Sequence, residues 1–379
     1  MRILLAPDKF KDALNAEEVC SAFKEGILLA NPNAKVCIAP LADGGEGTLE
    51  LLVKSSSGQF NDCEVLDPLF RPIKVLYGIS KDGRTAFIEM AKASGLQLLN
   101  ASERNCMNTS SIGTGQLILD AIQKGCKHII LTIGGSATND AGMGMAHALG
   151  YRFYDSAGEA LIPIGKNLIN VCRIANNEVL KSISDVTFQV ACDVHNPLFG
   201  ENGAAFVYAA QKGASGNEIL ILDQGLKNIA KQIAQSLKKE IAYVPGSGAA
   251  GGMGGGAIAF LNATLHPGID LVIEHTRFEE LVQKTDFIFT GEGKIDKQTL
   301  SGKVIQGIAK IAQKYQKPVF AFGGTVELSL DEILQSGLQY VCSISHKPQS
   351  LPEAILSTRE NLIKTAYNLI SLMMNIQKK

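Results

Sequence analysis

The chain lacks the marks of most nucleotide- and metal-handling classes. Gly165-Lys166, Gly293-Lys294 and Gly302-Lys303 have neither the upstream glycine nor the following hydroxyl of a P-loop. No His-Arg-Asp or Asp-Phe-Gly occurs, which excludes the protein-kinase signature set. The eight cysteines form no Cys-x-x-Cys pair and the six histidines no His-x-x-x-His pair, so no zinc pattern is present. Several of the cysteines fall in apolar runs and read as reduced, buried thiols, which points to the cytoplasm. No stretch approaches the ~18 apolar residues of a membrane span. Ile3-Leu4-Leu5-Ala6 is too short for an export signal, is followed at once by Asp8 and Lys9, and reads as a first strand. Neither sign of charge is in excess: Lys and Arg number 36 and Asp and Glu 37, so nothing draws the whole chain to nucleic acid or an anionic membrane. Any phosphate it binds must be held by local groups.

What is present is a set of short loops at the ends of apolar strands. His128 to Ile133 runs into Gly134-Gly135-Ser136-Ala137-Thr138-Asn139-Asp140 before a helix begins. Glycines there let backbone N–H groups approach an anion, Ser136 and Thr138 add hydroxyls, and Asp140 is placed either to hold a cation or to cap the helix. Similar loops are Asp43-Gly44-Gly45-Glu46-Gly47-Thr48, Ala191-Cys192-Asp193, Gly246-Ser247-Gly248-Ala249-Ala250-Gly251-Gly252 and Gly291-Glu292-Gly293-Lys294-Ile295-Asp296. Strand ends are where open α/β sheets bind ligands. Carboxylates and backbone cradles without a Cys/His cluster suit Mg²⁺ and phosphate, which points to phosphoryl transfer.

The elements around these loops imply an α/β protein of two domains. At both ends short apolar strands alternate with helices opened by Asn15 and Glu18, Ser329 and Glu332, and Ser350 and Glu353, the pattern of a parallel sheet. In between, Ile73 to Ile79 and Thr85 to Met90 flank Lys81-Asp82-Gly83 as an antiparallel hairpin. Residues 1–68 with 284–379 are expected to form a flavodoxin- or Rossmann-like parallel sheet, interrupted by an inserted mixed α/β domain at 69–283.

Ala6-Pro7-Asp8-Lys9-Phe10-Lys11, Ala42 to Thr48, Ile88-Glu89-Met90-Ala91, Gly134 to Asp140, Ala191-Cys192-Asp193, Gln211-Lys212-Gly213-Ala214 and Thr290 to Asp296 together resemble the bacterial type of glycerate kinase, in family order over nearly the whole chain. The chain departs from that pattern at Asp12-Ala13, His195 and Ala210. The resemblance implies an ATP-dependent kinase acting on D-glycerate with Mg²⁺, with small-molecule partners, two α/β domains and the 2-position favoured.

Candidate roles follow the chemistry a kinase needs. Asp193, after the strand from Thr187, is placed as base or Mg²⁺ ligand, or else caps the turn before Asn196-Pro197. Asp296 and Glu292 have the same two functional readings, with solvated loop acids as the alternative. Lys9 is a catalytic candidate, and Asp8, Lys11, Asp43, Gly44, Gly45 and Glu46 are candidates for holding glycerate. Gly134, Gly135, Ser136, Thr138, Asn139, Lys212 and Lys294 are candidates for the nucleotide, and Asp140 joins Asp193 and Glu292 as a metal candidate. Gly246, Gly248 and Gly251 fit Gly-x-Gly-x-x-Gly, with Asp270 at the spacing of about 20 that a dinucleotide site calls for. A backbone cradle for phosphates is the preferred reading; close packing of the helix near Ala257 to Leu261 is the structural alternative. The rival functions are an NAD(P)-dependent dehydrogenase of a small hydroxy acid and a non-catalytic sugar-acid-binding protein.

Overall fold

The computed structural model describes residues 1–42, 44–45, 47–300 and 303–377. In chain order its strands are β1 (Arg2–Leu5), β2 (Lys35–Ile38), β3 (Gln59–Leu66), β4 (Pro72–Ile79), β5 (Thr85–Glu89), β6 (His128–Thr132), β7 (Arg152–Tyr154), β8 (Arg173–Ala175), β9 (Thr187–Ala191), β10 (Thr264–His266), β11 (Phe287–Ile295), β12 (Val319–Val326) and β13 (Tyr340–Ser343). The chain forms two compact units, Met1–Asp43 with Ile269–Lys379, and Gly44–Gly268.

The first unit carries a wholly parallel sheet in the order β13-β12-β11-β1-β2. Numbered within the unit this is 2-1-3-4-5, the flavodoxin-like doubly wound order. The cause is in the strands: β1 is buried from Ile3 to Leu5, as a strand covered on both faces must be. The expected cap opens the helix Ala16–Ala30, where Asn15 accepts from the Glu18 N–H at 2.9 Å and Glu18 accepts from the Asn15 N–H at 2.9 Å. Phe23 of that helix meets Phe289 and Phe322 of the sheet, with ring centroids 5.9 and 5.0 Å away, at the centre of the unit's core.

The second unit carries a mixed sheet in the order β10-β9-β6-β5-β4-β3. β5, β6, β9 and β10 run parallel, and β4 pairs antiparallel with β5 in the expected hairpin. The carboxyl ends of the four parallel strands therefore share one edge of this sheet.

The units divide at 43 and 268 rather than near 68 and 284. β3 lies in the second unit because it pairs with β4 along its length, from Gln59 opposite Ile79 to Leu66 opposite Pro72. Its half-exposed pattern is that of an edge strand, and the expected boundary at 68 placed it in the first domain. At the return, Ile269 and Ile273 lie against Gly307, where an added Cβ would come within 2.6 Å of the Ile269 side chain, so this segment belongs to the first unit. Among the described residues no helix is long and apolar enough to cross a membrane.

Candidate active site

In a 2-1-3-4-5 sheet the strand order reverses between the first and third strands, and the crevice at their carboxyl ends is the favoured ligand position. Here that point lies between β1 and β11. The Asp8 N–H donates to the Gly291 carbonyl at 2.9 Å, and the Thr290 hydroxyl donates to the Ala6 carbonyl at 2.9 Å. Asp8, Lys9 and Lys11 are thereby brought beside Gly291, Glu292 and Lys294; a Cβ added to Gly293 would lie 3.2 Å from the Lys11 nitrogen. The Asp8 carboxylate accepts from the Lys9 N–H at 2.6 Å. Exposed Lys294 pairs with Glu327 at 2.8 Å, which raises its pKa, and lies 3.7 Å from Asp296. Asp296 caps its own turn, accepting from the Gln298 N–H at 2.8 Å and the Thr299 N–H at 3.4 Å. The local reading is thus the stronger one for Asp296, and Lys294 already has a carboxylate partner.

In the second unit, Asp193 follows β9 and is exposed. Its Oδ1 accepts from the Gly268 N–H at 2.9 Å, just past β10. The partner is 75 residues away, so this bond is a tertiary contact between adjacent strand ends. Gly44 stands against it at φ +91°: an added Cβ would lie 3.1 Å from Ala191 Cβ, 3.2 Å from Gly268 Cα and 3.9 Å from Asp193 Oδ2. Only a glycine takes both that backbone and that space without strain. The structure thus joins Gly44 and the Gly44-Gly45 turn to Asp193. Asp43 and Glu46 lie outside the described residues.

The Gly134–Asp140 loop leaves β6 between the ends of β5 and β9. Gly134 and Gly135 are exposed, and among the described residues an added Cβ would meet nothing within 4 Å at Gly134 and only Ala91 at Gly135. The rest of the loop is buried and clamped. Leu96 N–H donates to Gly135 O at 2.9 Å, Ala137 N–H to Ser94 O at 2.9 Å, and Thr109 Oγ1 to Ala137 O at 2.9 Å. Thr138 Oγ1, both polar atoms of the Asn139 side chain and Ser247 Oγ are buried with no hydrogen-bond partner among the described residues. Each such unmet group costs about 1–3 kcal/mol.

Asp140, expected as a metal candidate, takes the capping role instead. It is 1 % exposed. Its carboxylate accepts from Ser111 N–H (2.8 Å), Ser111 Oγ (2.7 Å), Gly142 N–H (3.2 Å) and Gly144 N–H (3.1 Å), which occupies the lone pairs a cation would need. Burial raises its pKa while these four bonds oppose the shift.

Lys212, 3 % exposed, lies beneath the same loop and donates from Nζ to Ser136 Oγ at 2.7 Å and Thr138 O at 2.8 Å. Burial brings its pKa down to about 8, against the opposing pull of Cys106 and Asp140. The sign follows by linkage. Between pH 8 and the ordinary lysine range the unfolded chain binds more protons at this side chain than the folded one, so stability rises with pH. The wild type should therefore gain stability relative to Lys212→Met between pH 8 and 10, measured by urea unfolding; parallel curves would refute the lowered pKa.

The Gly246–Gly251 run is corrected from cradle to packing seat. All of its glycines are buried. An added Cβ would come 2.9 Å from Cys192 Sγ at Gly246, 2.1 Å from Pro197 O at Gly248 and 2.0 Å from Thr138 O at Gly251, so each faces protein backbone or side chain and not an open surface. Ile241 to Val244 is a turn and not a strand, which removes the strand-to-helix context of a dinucleotide fingerprint. Ala250, Gly251 and Gly252 take successive left-handed conformations, and Ala141 N–H donates to Gly251 O at 3.1 Å, so this run buttresses the Gly134–Asp140 loop from behind.

Ser111 and Gly268 were missed in the sequence. A signal existed for Ser111 in the hydroxyl run Thr109-Ser110-Ser111 before an apolar helix, and for Gly268 in Pro267-Gly268 after a short strand.

An exposed glycine shelf and an anchored acid lie at the carboxyl edge of the parallel strands of one sheet, the place where α/β enzymes hold their ligands. The family model described as the glycerate kinase family matches residues 3–374. The chain is 44% identical over 367 residues to a glycerate kinase of Halalkalibacterium halodurans, covering 97% of each. It is 40% identical over 373 residues to glycerate 2-kinase of Escherichia coli, covering 98% of each. A crystal structure assigned as glycerate kinase 2 of Salmonella typhimurium LT2 superposes with a TM-score of 0.90 at 40% identity, covering all of both chains. The chain belongs to the glycerate kinase family.

Proposed function

We propose that the chain transfers the γ-phosphoryl group of ATP to the 2-hydroxyl of D-glycerate, in the cytoplasm and with Mg²⁺. The observation that carries the chemistry is the anchoring of Asp193 to the Gly268 N–H across two strand ends with Gly44 against it. An exposed carboxylate held in this way is suited to take the proton of an acceptor hydroxyl. The open Gly134–Gly135 backbone, with Ser136, is assigned to the nucleotide phosphates. Lys9, with Asp8 and Lys11, is assigned to charge on the substrate, at the switch point of its own sheet. The name of the Escherichia coli relative, glycerate 2-kinase, supports the 2-position. Nothing in the fold or the comparisons favours the dehydrogenase or binding-protein readings, and the loss of the dinucleotide context removes what supported the first.

Among the described residues no three His, Cys, Asp or Glu side chains converge as a metal cluster. Mg²⁺ commonly takes only one or two carboxylates and completes its shell with water and substrate phosphates. Asp193, after β9 in the second unit, and Glu292, within β11 of the first, each offer hard oxygen donors and are alternative candidates for that mode. Mg²⁺ would neutralise charge on the transferred group. Incubation with D-glycerate, ATP and Mg²⁺, followed by separation of the phosphoglycerates, should give the 2-phospho product and lose turnover in excess chelator. Full activity in chelator would refute the metal, a 3-phospho product the regiochemistry, and NAD(P)H formation without ATP the kinase.

A further inference from the structure

We propose that Lys212 is the positioning residue of the Gly134–Asn139 loop: its ammonium holds the loop from beneath, presents the Gly134–Gly135 backbone to the nucleotide phosphates and adds positive charge without touching them. This rests on the assignment of that loop to the nucleotide.

The base of the side chain is fixed. Lys212 closes a short turn, Ala210–Lys212, and its carbonyl accepts from the Cys106 N–H at 3.1 Å. The next residue, Gly213, has φ +88°, and an added Cβ there would lie 1.9 Å from the Arg104 carbonyl. From this seat Nζ reaches Ser136 Oγ and Thr138 O, the middle of the loop, whereas Gly135 and Ala137 are held by Leu96, Ser94 and Thr109. With two of its three donors spent on the loop and 3 % exposure, the ammonium acts through the loop rather than by direct contact.

A neutral donor would make the same two bonds without the cost of burying charge. The charged and titratable groups that bear on Nζ are Asp140, whose carboxylate is engaged by four donors, and Cys106, whose thiol burial keeps protonated with a pKa of about 11. Arg104 packs against the adjacent Gly213. An anion on the exposed shelf would supply further balancing charge, and by linkage its binding must draw a proton onto Lys212. Nucleotide affinity is then highest below pH 8 and falls as pH rises through it.

The test is calorimetry of the Mg²⁺ complex of the β,γ-imido analogue of ATP at pH 8, in two buffers of different ionisation enthalpy, together with the ATP KM from pH 7 to 9. The wild type should take up a fraction of a proton, at most about half at a pH equal to the pKa of the free side chain. Lys212→Met should take up none and show an ATP KM at pH 7 raised about tenfold, independent of pH, with kcat at saturating ATP little changed. A merely structural lysine would not move the proton count. If Lys212→Met does not fold, the wild-type measurement decides, and absence of uptake overturns the proposal. Gly134→Val tests the underlying assignment, because space for a side chain is open there in the free protein. An unchanged ATP KM in Gly134→Val overturns the nucleotide assignment and the proposal with it. A raised KM in Gly134→Val beside a wild-type KM in Lys212→Met overturns the positioning role alone.

Discussion

Asp193→Asn is expected to lower kcat by more than about a hundredfold, the lower end for removing a general acid–base group. The substitution is clean because the asparagine oxygen can still accept the Gly268 N–H, so the tertiary anchor at 2.9 Å survives while the proton acceptor and its charge are lost. ATP KM should change far less than kcat, since an interaction that matters only as the hydroxyl loses its proton appears in kcat. Steady-state kinetics with D-glycerate checks this. An unchanged kcat would reduce Asp193 to a structural link between the ends of β9 and β10.

Asp140→Ala is expected to cost about 3–5 kcal/mol of stability, measured by chemical denaturation, because three backbone N–H groups and the Ser111 hydroxyl lose a buried acceptor together. The costs are not additive, and relaxation of the loop holds the total below the sum of the single losses. Activity should fall as well, since the carboxylate ties the end of the Gly134–Asp140 loop to the starts of the helices Ile112–Gln123 and Met143–Ala148. Asp140→Asn should also destabilise, because its NH₂ group would face donors. Near wild-type stability in both variants, with loss of Mg²⁺-dependent turnover alone, would return Asp140 to the metal role.

Local signals were legible wherever neighbours in sequence are also neighbours in space. Asn15 with Glu18 and Ser329 with Glu332 close their capping boxes as expected, and Lys81-Asp82-Gly83 turns the hairpin between β4 and β5. The exposed glycine shelf before Ser136 was also legible, because a strand followed by small residues and a helix is a local pattern. The Gly246–Gly256 run shows the limit. Its glycines match a phosphate-binding pattern in order, yet what lies 2.0 Å from the Gly251 position is the carbonyl of Thr138, more than a hundred residues earlier in the chain. A glycine that admits a ligand and one that admits another stretch of backbone look the same in sequence.

The family, the α/β class and the alternation of strands and helices at the two ends of the chain were determined by the sequence alone, since periodicity, caps and motif order are properties of the chain read in one direction. Which acids are exposed and which are buried caps was decided only by tertiary structure. Asp140 and Asp193 both follow strands and small residues, but four donors at the starts of two helices enclose the first, while the second accepts the Gly268 N–H past a neighbouring strand and stays exposed. For Lys212 the sequence left a phosphate contact and a solvated surface lysine equally open, and the fold instead places it, buried, under a loop more than seventy residues earlier. Burial and the partners that satisfy a charge depend on segments distant in sequence, and those segments meet only once the sheets are assembled.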